Sequence, residues 1–202
     1  MSLTQRPLDH RRSASARQVS LVPAPTRPPS GPARRRPALD LDVLVDIASG
    51  LALAVDLWRP HVHHDQLSRT SVRLVATEAY EVWLLGWSQG QGVDLHDHGG
   101  ANAAFVVLEG ELEELTLGSA GLRSRSLRAG GVGTVASGAV HDVVNAGTVD
   151  ATSIHVYSDP LRTMTFFDPD GTPRHTELVE EVPALLTAGG TDRALHPAAA
   201  RP

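Results

Sequence analysis

The chain has 202 residues, enough for one domain with a real core, and at 41% hydrophobic and 4% aromatic its composition is that of a globular protein. It contains no cysteine, which excludes a disulfide framework, a thiolate metal site and a cysteine nucleophile, so any metal must be held by His, Asp or Glu. The formal net charge of -5 hides a division, because Met1 to Ala38 carries eight arginines against one acid and leaves the rest of the chain strongly acidic.

That first segment also holds seven of the fourteen prolines. Dense Pro and Arg with few apolar residues cannot bury enough surface to offset the entropy of ordering, so residues 1–38 are expected to be a disordered tail. Its charge would suit an anionic surface, but a solvated tail is the simpler reading and no nucleic-acid partner is expected. A shorter tail is expected at 187–202, which leaves one domain over 39–186. No apolar run reaches about 18 residues and no apolar leader opens the chain, so a cytoplasmic location without a membrane partner is expected.

Asp40 is placed to cap a helix whose apolar residues Leu41, Leu44, Val45, Ala48, Leu51, Ala52 and Val55 share one face, with Gly50 as a point where it would split. From about Val72 the period changes to two. The strand candidates are 72–76, 80–87, 103–110, 111–117, 121–127, 132–136, 140–145, 152–158 and 164–168, separated by turns such as "SQGQG" and "NAGTVD". Many short strands after one helical segment predict a mainly β fold, a closed jelly-roll barrel with a short N-terminal helical segment.

The stretch "GVDLHDHGG" (92–100) falls at the end of a strand. Residues i and i+2 of a strand point to one face, so His96 and His98 project together into the barrel with Asp97 turned away. Two imidazoles on one face make half a metal site. Together with Gly90, Gly110, Gly133, Gly138, His141 and Asn145, they resemble the two motifs of the cupin superfamily, with Ser137 in place of the usual proline. Ala103 stands where the first motif usually carries a glutamate ligand. The resemblance therefore implies three neutral histidine ligands, His96, His98 and His141, and no carboxylate. Such a set suits a non-heme Fe(II) ion with open positions, or a zinc ion that activates water, and spacing alone does not choose.

"SIHVYSDPL" adds a polar row, Ser153, His155 and Tyr157, at every second residue. With "HDHGG" and "HDVVNAG" it resembles the thiol dioxygenases of the cysteine dioxygenase family, from about Val72 to Asp168. The resemblance implies Fe(II) on His96, His98 and His141, and oxidation of a small thiol, most simply L-cysteine, to its sulfinic acid by one O₂. Tyr157 would orient the reactants, supported by His155 and Ser153. In some members that tyrosine is joined to a cysteine, which Ala103 rules out here. The family also places an arginine at the substrate carboxylate. Arg73 is the nearest match in an ungapped alignment, with Arg69 and Arg162 as alternatives. A 3-mercaptopropionate dioxygenase and a non-catalytic metal-binding cupin are the other readings. His61, His63 and His64 are expected in a solvated loop, and the carboxylates of "EGELEEL" on the water face of a hairpin. Deletion of residues 1–38 is expected to leave the thermal melting temperature unchanged, since such a segment makes few native contacts; a large drop in a melting scan would contradict this.

Overall fold

A computed structural model describes residues 37–187. Residues 1–36 and 188–202, and with them nearly all of both expected tails, lie outside the described residues. Asp40 is the N-cap of α1 (Leu41–Leu53), although its carboxylate makes no capping hydrogen bond. Gly50 does not split this helix. The break falls instead at Ala54, before a short α2 (Val55–Trp58) and a 3-10 turn at Arg59–His61. A glycine inside a helix costs roughly 1 kcal/mol relative to alanine, whereas burying Leu44 alone contributes about 1.5–3 kcal/mol. Leu44 and Ala48 are fully buried and hold α1 to the barrel.

Twelve strands follow among the described residues: β1 (Thr70–Ala76), β2 (Glu81–Trp87), β3 (Gly92–His96), β4 (Asn102–Glu109), β5 (Glu111–Gly118), β6 (Gly121–Arg128), β7 (Val132–Val135), β8 (Val140–Val144), β9 (Ala151–Ser158), β10 (Thr163–Phe167), β11 (Pro173–Leu178) and β12 (Leu186–Thr187). They form two six-stranded sheets, ordered β12-β1-β2-β9-β4-β7 and β11-β10-β3-β8-β5-β6. All neighbours are antiparallel except the β1–β12 pair. The fold is the expected cupin jelly roll. β11 and β12 are additions to the expected strands; every residue of both is exposed, so neither shows apolar alternation.

The central strands of the first sheet, β2, β9 and β4, are buried on both faces, and their period-two pattern separates two cores. Leu74, Val82, Leu84, Ala104, Val106, Ile154 and Val156 pack with Leu44, Ala48 and Trp58 of the helical segment. Their alternates Leu85, Phe105 and Val107 pack with Trp87, Leu112, Leu127 and Val143 inside the barrel. Residues 102 and 137 tie the site end of the barrel to the incoming chain. Asn102 donates to Leu39 O at 3.0 Å and accepts from Ser137 N at 2.9 Å. The second bond needs an N–H that a proline at 137 would lack.

Two glycines of the cupin motifs have distinct physical reasons. Gly110 joins β4 to β5 at φ +77, and a Cβ there would also lie 2.7 Å from Asp150 O. Gly133 is required by close approach, since a Cβ would lie 2.1 Å from the Phe105 ring. That ring is buried and stacks on His155 with centroids 4.8 Å apart, so it has nowhere to retreat. Gly133→Ala is expected to destabilise the protein by about 1–3 kcal/mol, the usual scale for overpacking. It would be read as a lower urea midpoint with an unchanged slope; an unchanged midpoint would show that the Phe105 ring moves freely.

Candidate metal centre

His96 closes β3, and its Cα partner across the ladder is His141 of β8. His98 lies two residues past the strand end, in a turn that Asp97 holds by accepting hydrogen bonds from Gly99 N at 3.0 Å and Thr165 N at 3.1 Å. All three histidines are buried, and one ring nitrogen of each falls within 4.8 Å of the others. The His96 Nδ1 lies 2.8 Å from Asp94 O and the His141 Nδ1 lies 2.9 Å from a Glu114 carboxylate oxygen. These acceptors make each Nδ1 a donor, which in a neutral ring leaves Nε2 as the lone pair. His98 Nε2 stands 3.3 Å from His141 Nε2, and His98 Nδ1 is buried without a hydrogen-bond partner.

Burial first, and then the neighbouring imidazoles, push His96 down to about 3 and His98 well below its usual range. His96 and His98 are therefore held in the neutral form, and the three rings turn one nitrogen each toward a common point. Converging lone pairs repel unless a cation lies among them, and neutral imidazole is the ligating form. The residues fit a divalent metal ion held by His96, His98 and His141, and with no carboxylate as a fourth ligand among the described residues there is room for other ligands.

The hairpin β5–β6 supplies a feature that departs from the expectation for "EGELEEL". Glu111 and Glu113 do lie at the surface side, bonded to Ser126 and Ser124. Glu114 does not: it is fully buried, with one oxygen on His141 and the other accepting from Arg125 Nε at 2.6 Å. Burial pushes its carboxyl up, but its interactions with His141 and Arg125 together bring it below the usual range. The signal was present in the parity of the strand, since Glu114 shares the inward face with buried Leu112.

On β9, Ser153, His155 and Tyr157 share the inward face. Trp87 Nε1 donates to Ser153 Oγ at 2.9 Å, Ser153 Oγ lies 2.9 Å from His155 Nε2, and His155 Nδ1 lies 3.4 Å from the Tyr157 hydroxyl. Burial, reinforced by the Arg69 charge, holds His155 well below its usual range, so the ring is neutral. Burial likewise raises the Tyr157 phenol, which stays protonated despite the opposing pull of Arg69. The Tyr157 and His98 rings meet edge to face at 5.0 Å, which brings the polar row to the histidine cluster.

A cavity of about 290 Å³ opens onto these groups, with Arg69, Trp83, Trp87, His96, His141, His155 and Tyr157 in its wall. Arg69 sits just before β1 with its guanidinium 4.8 Å from the centre of the Trp87 ring. Solvent reaches it through the open cavity, while the protein packed around it lowers its pKa. Arg73 is placed differently from the expectation. Its guanidinium pairs with the buried Glu81 carboxylate at 2.7 Å and donates to Val182 O at 3.1 Å, and it lines a side pocket with Arg162 and Glu181 rather than the main cavity. A strand position alone does not reveal that a carboxylate on the next strand captures the side chain. Of the other histidines, His64 bonds Ala151 O at 3.0 Å, and none of 61, 63 or 64 joins the metal cluster.

Among the described residues, no helix is long and apolar enough to cross a membrane. No curated protein matches the chain. Among solved structures it is similar to the TT1209 protein of Thermus thermophilus, at 20% identity and a TM-score of 0.46, covering 50% of this chain and 93% of that one. It is similar to a conserved protein with a double-stranded β-helix domain from Klebsiella pneumoniae, at 18% identity and a TM-score of 0.46 over 61% of this chain and 94% of that one. An oxalate oxidase in complex with the substrate analogue glycolate aligns at 21% identity and a TM-score of 0.41 over 46% of this chain and 52% of that one. The model of the family cysteine dioxygenase type I matches residues 33–170, which include the helical segment, both cupin motifs and all of β9. The chain belongs to the cysteine dioxygenase type I family.

Proposed function

We propose that the protein is an Fe(II)-dependent thiol dioxygenase that oxidises L-cysteine to cysteine sulfinic acid, with both atoms of O₂ going to sulfur. The observation that carries this reading is the cavity itself. It brings two imidazoles of the three-histidine cluster, His96 and His141, together with a protonated phenol and an arginine with no carboxylate partner among the described residues. His96, His98 and His141 would hold the iron, which when bound supplies Lewis acidity toward a soft thiol and redox chemistry toward dioxygen. Arg69 is the proposed carboxylate-binding residue in place of Arg73, because Glu81 already occupies the Arg73 fork. A thiol with a carboxylate fits between a metal centre and such a guanidinium.

The donors and acceptors of the polar row give it a direction. Trp87 Nε1 is a donor only, so it fills one acceptor site of Ser153. Ser153 is fully buried, and the acceptor within reach of its own proton is His155 Nε2. His155, being neutral, then carries its hydrogen on Nδ1 and donates toward the Tyr157 oxygen. The phenol proton is thereby left free to point into the cavity. On this reading Tyr157 donates a hydrogen bond to the reacting groups, and Trp87, Ser153 and His155 act through it as positioning residues.

Purified protein loaded anaerobically with Fe(II) is expected to consume O₂ with L-cysteine and to form the sulfinic acid. His141→Ala should lose both iron and turnover, as elemental analysis would show. Tyr157→Phe should keep its iron and lose roughly 10²-fold in rate, the usual worth of one positioned donor. Arg69→Ala should raise KM for cysteine much more than for cysteamine, which has no carboxylate; equal effects would remove Arg69 from the substrate site. A wild-type preference for 3-mercaptopropionate would change the substrate but not the reaction. No O₂ uptake with any thiol would leave a metal-binding cupin as the better account.

A further inference from the structure

We infer that Glu114 is a positioning residue for the metal centre: by accepting the Nδ1 hydrogen of His141 it fixes the tautomer whose Nε2 lone pair faces His98. The inference rests on the reading of His96, His98 and His141 as metal ligands. A neutral imidazole has one N–H, and which nitrogen carries it is decided by the partner of the other. His141 is 2% exposed and Glu114 is 0% exposed, so no solvent competes for that choice. A carboxylate has no hydrogen to give, and the nitrogen it faces must therefore be the donor.

Arg125 makes the arrangement one-way. It lies directly across the β5–β6 ladder from Glu114 and donates to the second carboxylate oxygen through Nε at 2.6 Å and through its terminal nitrogen at 2.5 Å. With that oxygen held, the first is left for His141. Glu114 itself sits next to β8, with Val143 as its Cα partner, so the pair bridges β6, β5 and β8 to a ligand. Hydrogen-bond partners of this kind raise ligand basicity and fix the ring, and their loss typically weakens metal binding by about 10–100-fold.

Glu114→Gln tests the mechanism rather than the space. Arg125 needs an acceptor, so the amide oxygen goes to Arg125 and the amide nitrogen is turned toward His141. The Nδ1 then becomes an acceptor, the hydrogen moves to Nε2, and the ligating lone pair is lost. Anaerobic titration of metal-free protein with Fe(II), followed by calorimetry, is expected to show affinity reduced by at least about tenfold in Glu114→Gln. Glu111→Gln, which breaks only the surface bonds of the same hairpin to Arg128 and Ser126, should bind Fe(II) like the wild type. Nitrogen-15 spectra of the imidazoles in metal-free wild type should show the His141 hydrogen on Nδ1, a readout that does not depend on any variant folding. Equal Fe(II) affinity in Glu114→Gln and wild type, equal weakening in both variants, or a wild-type hydrogen on Nε2 would each overturn the inference while leaving the metal site standing. If the wild type bound no Fe(II), the three-histidine reading would fall and this inference with it.

Discussion

Every residue of β9 is buried, and that strand turns Ile154 and Val156 toward the helical segment and Ser153, His155 and Tyr157 toward the barrel. A buried polar group costs free energy unless it is hydrogen-bonded. The inward row therefore has to be completed from other strands, and it is: Trp87 from the end of β2 reaches Ser153, Phe105 from β4 covers His155, and Gly133 from β7 leaves space for Phe105. The order of strands in the first sheet, with β9 between β2 and β4, is what brings these partners within reach. The second sheet then faces this row with His96 and His141 in register.

Charge in this interior is distributed sparingly. His96, His98, His155 and the Tyr157 phenol are neutral because burial disfavours their charged forms. The buried carboxylates Glu81 and Glu114 are each neutralised by an arginine that reaches outward, Arg73 and Arg125. A buried carboxylate without its partner would be strongly destabilising. Arg69 differs from these two arginines in having no such carboxylate among the described residues, and it differs from them also in opening onto the main cavity. Two arginines thus have structural partners, and the third is the one left for an anionic ligand under the proposed function.

The fold was legible because its strands alternate cleanly and its turns carry glycine at required positions, and the histidine cluster was legible because i and i+2 share a face. What escaped was decided by partners distant in sequence. Arg69 and Arg73 have the same parity, and only the position of Glu81 on β2 separates a clasped arginine from an open one. Glu114 lies in a run of acids where exposure is the ordinary expectation, and its burial follows from His141 and Arg125 on the flanking strands. β11, written "PRHTEL", shows no apolar alternation because all of it is exposed, so pairing with β10 rather than burial defines it. Gly50 shows the converse error, a local helix penalty overridden by tertiary packing of Leu44 and Ala48.

The absence of cysteine has its clearest consequence at Tyr157. Ala103 is the Cα partner of Tyr157 across the β4–β9 ladder, and its methyl group packs against the tyrosine together with Val135, Trp83 and Leu161. No covalent link can restrain the ring at this position, so its orientation depends on that packing and on the 3.4 Å contact with His155. A contact of this length is a weak restraint by itself. The apolar cluster fixes the plane of the ring, while the chain from Trp87 through Ser153 and His155 fixes which way the hydroxyl hydrogen points. Packing and polarity therefore divide between them a task that a single covalent bond would otherwise perform, and a loss on either side should be felt at the phenol before it is felt by the fold.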